Sequence, residues 1–524
     1  MIPPSAIRKY LDRQLADHRD LKKLDHQQID TLLDCLPETP YFWHDLKLHQ
    51  KVCLYLGIKY TDFAFWCDMG SGKTLIALEL LNHWYSLEKV RRALVFVTSD
   101  KAFSTWERQI EQYKINVPYI SLDANSSAEK WKLLHRFGDG IILTHYPGTI
   151  AMVSEKIRIK GKNRLVLDPA KLDDLLHRVD ALVMDESTKV GNSHSLTYEL
   201  CEEAANRASF HYALAGMPFG RDPILLHPQM KLVDGGETLG TTLGLFREAF
   251  YSKKKNPFAR NKHVYDYTFK KALQPQLSRM LQHRSITYRA EECIELPEIT
   301  HITERVRLPA EIRQFYEKLV RDLIAGKGGD MRLVKNAFLR MRQLSSGFLG
   351  LKDDETGDKA EMDFDENPKL ERLVELVDEL PAGRKALVFY EYTHSGRIIT
   401  ERLETEFGRK PVWLWSGTKN SRAAIERFIV DPACQIAVVN NRVGAYSLDG
   451  LQVANYEFFY ESPVSVIDRA QAEKRIDRQG QTRKCFIYDL VAEDTVDEKI
   501  LDFHREGKDL FKMLLTNPQS VLGV

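Results

Sequence analysis

The sequence contains no CxxC pair. Its seven cysteines (35, 53, 67, 201, 293, 434 and 485) stand singly. That dispersal excludes a structural zinc held by paired thiolates and a disulfide framework, and it suits a reducing compartment in which thiols serve as small core residues. No apolar run approaches the roughly 18 residues of a membrane-spanning helix. The N-terminal stretch MIPPSAIRKYLDRQLADHRD is amphipathic but lacks the apolar centre of a secretory signal. An excess of charge is also missing: the net charge is +1, so affinity for a polyanion has to come from local basic surface. The 16 histidines show no metal-ligand spacing. These absences lead to the expectation of a soluble cytoplasmic protein.

What is present is a long chain of ordinary globular composition. Its 524 residues, 43% hydrophobic and 28% charged, exceed what one core organises, so at least two domains are expected. Residues 1–40 read as a polar helical extension, open to two readings: docking a partner, or packing on the domain that follows. From 41 to 295, the short apolar runs DFAFWC (62–67), ALVFVT (93–98), GIILTH (140–145), DALVMDE (180–186) and YALAGM (212–217) alternate with helical patterns. From 296 to 524 the alternation returns in KALVFYEY, VWLWSG, QIAVVN, YEFFYE and CFIYDL, after a helical region at 305–350 and an acidic stretch at 352–368 that reads as an exposed loop. Runs buried on both faces and separated by helices imply an α/β fold with two parallel sheets in tandem.

The segment DMGSGKT (68–74) follows the strand DFAFWC and precedes the helical pattern TLIALELLNHW. In that context Met69, Gly70, Ser71 and Gly72 form a loop whose backbone N–H groups can cradle a phosphate at a helix N-terminus. Lys73 would reach the β- and γ-oxygens, and the Thr74 hydroxyl would ligate Mg²⁺. VMDES (183–187) closes another apolar strand, which suits Asp185 to the metal and Glu186 to the attacking water. Gln50, on a helix ahead of the loop, has an amide that can pair with adenine, or it is a solvated helix residue. Near the C-terminus, QAEKRIDRQGQ sets Arg475 and Arg478 three apart, on one face if the stretch is helical. Two fixed cations of this kind stabilise a transferring phosphate, or else form a basic face in solvent. The basic stretch SKKKNPFARNK (252–262) is either a backbone clamp or a solvated loop. Trp413 and Trp415 alternate with Leu414, so one of them is expected in the core.

Taken together, these segments resemble the Swi/Snf-type DNA translocases of helicase superfamily two, in order from about residue 44 to 500. LKLHQ resembles the Q motif, and DMGSGKT resembles the family's DEMGLGKT with one residue fewer. VFVTSDKAFSTWERQIEQY, ILTHYP, MDESTKVGN and LAGMPF look like motifs Ia, Ib, II and III. In the second half LRMRQLSSGFL, ALVFYEYTH and WLWSGTKNSRAAIERF have counterparts, and QAEKRIDRQGQ is close to the family's final motif. The resemblance implies two RecA-like lobes that use ATP and Mg²⁺ to move along double-stranded DNA without separating its strands. It places Gln471, Arg475 and Arg478 in the nucleotide site. It also sets Thr98, Ser99, Thr144, Ser416 and Gly417 where the family meets the DNA backbone, although strand capping accounts for such residues equally.

There are departures from the family pattern. Ala215 and Met217 stand where motif III has threonines, motif V keeps only Gly450, Leu451 and Gln452, and YESPVS replaces paired tryptophans. The chain resembles the short prokaryotic and phage members, and a monomer is expected. A strand-separating helicase on DNA or RNA, or a nucleotide-gated DNA scaffold with negligible turnover, remain the alternatives.

Overall fold

The computed structural model of the protein describes residues 18–36, 46–159, 162–216, 218–219, 222–255, 265–293, 297–325, 331–352, 359–418, 420–445, 450–478 and 480–506. The chain divides into two compact units, Met1–Glu295 and Leu296–Val524.

In the first unit, a seven-stranded sheet is built from β1 (Asp62–Cys67), β2 (Arg92–Val97), β3 (Tyr119–Ser121), β4 (Gly140–His145), β7 (Val179–Met184), β8 (Phe210–Ala215) and β11 (Ser285–Tyr288). The order is β11-β1-β8-β7-β2-β4-β3 and every pairing is parallel. Two antiparallel hairpins, β5 (Ser154–Ile159) with β6 (Lys162–Leu167) and β9 (Tyr251–Lys255) with β10 (Tyr265–Phe269), stand apart from it. The apolar runs are buried on both faces because each face supports its own hydrophobic cluster, one around Phe63, Phe65, Val95 and Leu143, the other around Trp66, Phe96, Ile142 and Leu182. Gly57 lets the helix Leu48–Lys59 approach the helix Lys73–Ser86: a Cβ there would come within 2.6 Å of Leu80.

The described N-terminal residues belong to this unit. Asp25 and Gln28 form a reciprocal capping box that starts the helix His26–Asp34. That helix buries Ile29 and Leu33 completely, and Asp30 pairs with the buried Lys51 at 2.7 Å. Its apolar face is therefore already covered, which favours the packing reading for these residues.

The second unit repeats the plan with β12 (Ile299–Val306), β15 (Ala386–Tyr390), β16 (Val412–Leu414), β17 (Ile436–Asn440), β18 (Tyr456–Phe459) and β19 (Cys485–Ala492). The order is β12-β19-β18-β15-β17-β16, again all parallel. The expected α/β class with two parallel sheets is therefore the observed one. One stretch differs from expectation: of the acidic loop at 352–368, Lys359–Asp363 forms β14, antiparallel to β13 (Phe348–Lys352). Charge alternating with Ala360 and Met362 allows a two-stranded ribbon, and residues 353–358 lie outside the described ones. Trp413 and Trp415 share a face, stacked at 5.4 Å, and both are half-buried.

Candidate nucleotide site

Because the first sheet is parallel, the segments after β1, β2 and β7 leave it at one edge, where ligands of such sheets bind. β8 separates β1 from β7, so the phosphate loop and the Asp185–Glu186 pair stand two strand spacings apart, roughly 10 Å. Gly70 and Gly72 adopt positive φ (80° and 85°), and Gly72 caps the helix Lys73–Ser86. The first-turn amides of that helix have no partner within it. Lys73 lies back on the loop, donating from Nζ to the carbonyls of Cys67 (2.6 Å) and Asp68 (3.2 Å). Thr74 follows it, half-buried. A Cβ placed on Gly216, just past β8, would stand 3.8 Å from the Met69 nitrogen, so the motif III segment borders the loop.

The loop is braced from behind. His49, held neutral by burial, donates from Nε2 to the Ser71 carbonyl at 2.7 Å, and Gln50 Nε2 donates to the same oxygen at 3.2 Å. Gln50 Oε1 accepts the Lys47 N–H at 3.0 Å. Gln50 is thus buried rather than solvated, and both ends of its amide are engaged by protein. The Gln50 amide also requires glycine at position 72, where a Cβ would sit 2.2 Å from Nε2.

Asp185 is held by two donors, its own chain neighbour Glu186 N–H at 3.0 Å and the Trp106 indole N–H at 3.2 Å. Burial lifts its carboxyl above the ordinary range, while the Trp106 bond and the Lys73 charge pull it back. The Tyr146 hydroxyl donates to the Asp185 carbonyl at 2.9 Å, its ring stacked on Phe96 at 5.2 Å. Glu186 sits in the left-handed region (φ 50°), a strained geometry that turns the chain sharply at the strand end. Ser187 then donates to Gln229 Oε1 at 2.7 Å, and Gln229 Nε2 donates to the carbonyls of Pro218 (2.6 Å) and Leu225 (2.8 Å). Gln229, fully buried, therefore ties the acid pair to the segment after β8. Ala215 is buried and Met217 lies outside the described residues. His49, Trp106, Tyr146 and Gln229 were not singled out from sequence. The only local signal was that His49, Trp106 and Tyr146 lie within LKLHQ, VFVTSDKAFSTWERQIEQY and ILTHYP, and Gln229 lacked even that.

The loop, the lysine and a hard-oxygen set of Thr74 hydroxyl and Asp185 carboxylate fit a nucleotide phosphate with Mg²⁺. A cavity of about 710 Å³ lies elsewhere, at the far end of the same helix, lined by Glu79, Asn82, His83 and Asp139 among others.

Other expected positions separate. Thr98 and Ser99 follow β2 and are half-exposed, and Ser416 and Gly417 are exposed after β16. Thr144 is fully buried, and its hydroxyl shares a 2.6 Å hydrogen bond with Thr149, which braces the turn after β4. In the second unit the helix is Val466–Glu473, so it carries Gln471 but stops before Arg475 and Arg478. The two arginines do not share a helix face. Ile476 turns fully into the core, Lys474 pairs with Asp477, and Gln481 Nε2 ties the turn to the carbonyls of Gln452, Ala454 and Ile476. Arg475 is buried, with the buried Glu457 in electrostatic range, and Arg478 is half-exposed. Glu461, in the stretch that replaces the tryptophans, accepts from the Glu391 and Tyr392 N–H groups and from the Ser395 hydroxyl.

Residues 65–354, more than half of the chain, match the SNF2-related domain. The chain belongs to that family. By class it is an ATPase of the Swi2/Snf2 type within helicase superfamily two. Among SNF2-type relatives, the chromatin-remodelling ATPase INO80 of Candida albicans is 28% identical over 155 residues, 29% of this chain and 11% of the relative. Helicase SWR1 of Yarrowia lipolytica is 32% identical over 136 residues, 25% of this chain and 8% of that protein. The chain thus matches about a tenth of the length of these eukaryotic proteins. The phage protein p41 of Acyrthosiphon pisum secondary endosymbiont phage 1 is 23% identical over 476 residues, covering 86% of this chain and 93% of its own. Among solved structures, the Sulfolobus solfataricus SWI2/SNF2 ATPase core in complex with dsDNA covers 93% of this chain and 96% of that one, at 19% identity and a TM-score of 0.38.

Proposed function

We propose that the protein is a DNA-stimulated ATPase that translocates along double-stranded DNA and displaces or remodels bound complexes without separating the strands. The observation that carries this reading is the pairing at one sheet edge of a lysine-bearing phosphate loop with an acid pair whose Asp185 carboxyl feels the Lys73 charge. Lys73 binds the terminal phosphates, and Thr74 and Asp185 would hold Mg²⁺, which would supply charge neutralisation to the transferring group. Glu186 orients and deprotonates the attacking water, its reach set by the left-handed turn it occupies. Arg475 and Arg478 supply the positive charge that the transition state requires, and Gln471 adds a neutral amide hydrogen bond. Thr98, Ser99, Ser416 and Gly417, accessible after their strands, contact the DNA backbone without reading sequence.

Phosphate release measured in parallel with duplex DNA, single-stranded DNA and RNA tests the reading. Strong stimulation by duplex is expected, with loss of turnover in Lys73→Ala and Glu186→Gln and unchanged melting. Stimulation by RNA alone, or strand displacement from a forked substrate, would assign a different motor. No turnover on any polymer would leave only a nucleotide-gated scaffold.

A further inference from the structure

The helix Leu243–Phe250 runs into the β9–β10 ribbon, a sheet of two strands. Its register sets Tyr251 opposite Phe269, Lys253 opposite Tyr267, and Lys254 opposite Asp266. Side chains alternate across a strand, so Tyr251, Lys253, Tyr265, Tyr267 and Phe269 share one face, and Lys254 and Asp266 lie on the other. The base of the ribbon is anchored. Tyr251 is buried, meets the Phe269 ring at 5.5 Å and donates its hydroxyl to Asp222. Beyond that pair the ribbon leaves the core, and Lys253, Lys254, Tyr265 and Tyr267 are exposed.

Cations and rings interleave on this face. The Arg247 guanidinium carbon lies 5.0 Å from the Tyr267 ring centre, and Lys253 Nζ lies 4.0 Å from that of Tyr265. The Lys253 ammonium is therefore steadied by an aromatic face. The ribbon's one carboxylate among the described residues, Asp266, stands on the opposite face. Two cations flanked by tyrosine hydroxyls, with Asp222 at the base of this face engaged by the Tyr251 hydroxyl, are complementary to spaced phosphates. Because cations already cover ring faces, hydroxyl and ammonium contacts to phosphate are favoured over base stacking. A two-stranded ribbon also has a width that a B-form groove admits.

We propose that the face formed by Arg247, Lys253, Tyr265 and Tyr267 is a second DNA-binding surface that grips the phosphates of duplex DNA. It uses none of the strand-end residues Thr98, Ser99, Ser416 and Gly417 assigned to the DNA backbone, and it rests on the translocase reading above. The test is fluorescence anisotropy of a labelled random-sequence duplex, across a salt series, with the full chain and its Arg247→Gln/Lys253→Gln variant. Each lost phosphate contact is worth about 0.9 in the slope of log affinity on log salt, so the double variant should show a slope shallower by roughly two and bind about tenfold or more weakly at moderate salt. Should the double variant melt early, Lys253→Gln alone keeps the stem against Tyr265 and should lose about half of that slope difference. A wild-type chain that fails to bind duplex overturns the translocase reading. A wild type that binds, with variants of unchanged slope and affinity, overturns the ribbon alone. Loss confined to single-stranded DNA overturns the duplex assignment.

Discussion

Ser187 and Gln229 are joined by a 2.7 Å hydrogen bond, and through the Gln229 amide the residue after the acid pair is tied to the Pro218 carbonyl. The link spans 42 residues of chain and is buried throughout. Ala215 and Met217 carry no hydroxyl, and the Gln229 amide connects the segment after β8 to the residue that follows the acid pair. Gln229→Leu would leave a buried hydroxyl and carbonyl without partners, a loss of about 1–3 kcal/mol in unfolding free energy. The ratio of duplex-stimulated to basal phosphate release should fall more than the basal rate does. A variant with lower stability and an unchanged stimulation ratio would reduce Gln229 to a core contact.

Gln50 offers a test between two uses of one amide. If it braces the loop, Gln50→Ala frees the Ser71 carbonyl from one of its two donors and should weaken ATP and GTP alike, by roughly 1 kcal/mol or fivefold in affinity. An adenine reader would instead lose the preference for ATP while GTP binding stayed constant. Equilibrium titration with both nucleotides distinguishes the two, and a selective loss would show the amide turning toward the base.

Arg475 faces a different constraint. Burial pushes the Glu457 carboxyl far above its ordinary range; Glu473 and Asp489 add to this, and Arg469 and Arg475 oppose it. Neither Glu457 oxygen has a hydrogen-bond partner among the described residues. Arg475→Ala should lower kcat by about 10³-fold or more with little change in ATP affinity. Glu457, held protonated by burial, gains nothing from that charge, so little stability should be lost through it. Glu457→Gln in the same chain keeps that group neutral and should leave kcat as low as in the single variant. Recovery of turnover in the double variant would deny the arginine a part in the reaction.

A pH dependence follows from Glu79, whose carboxyl burial lifts from 4.5 to about 7 against a weak hydrogen bond from Asn82. The folded state holds this proton more tightly than the unfolded one. The group's stabilising contribution is therefore complete below about 4.5, is lost as pH rises toward 7, and changes no further above it. The difference amounts to roughly 3 kcal/mol. Urea unfolding between pH 5 and pH 8 should show this fall in the wild type and a flatter profile in Glu79→Gln. Parallel profiles would place the titration on another group.

What could be read from the chain alone was whatever depends on near neighbours. A phosphate loop needs a strand before it, glycines within it and a helix after it, and DFAFWC-DMGSGKT-LIALELL spells all three in sequence. The acid pair after the apolar run ALVM and the alternation of buried runs with helices are equally local, so the α/β class and the places of Lys73, Thr74, Asp185 and Glu186 at helix start and strand end were legible. Contacts between distant segments were not. Nothing adjacent to Thr144 shows that Thr149 will take its hydroxyl into the core. The spacing of Arg475 and Arg478 suits a helix face, yet the burial of Ile476 and the three carbonyls gathered by Gln481 end the helix before either arginine. His49, Trp106 and Gln229 act on the loop and acid pair from helices that reach them only once the sheet is assembled. Periodicity fixes which face of an element is apolar, whereas the partner of a buried polar group is decided by whichever donor or acceptor packing brings within about 3 Å.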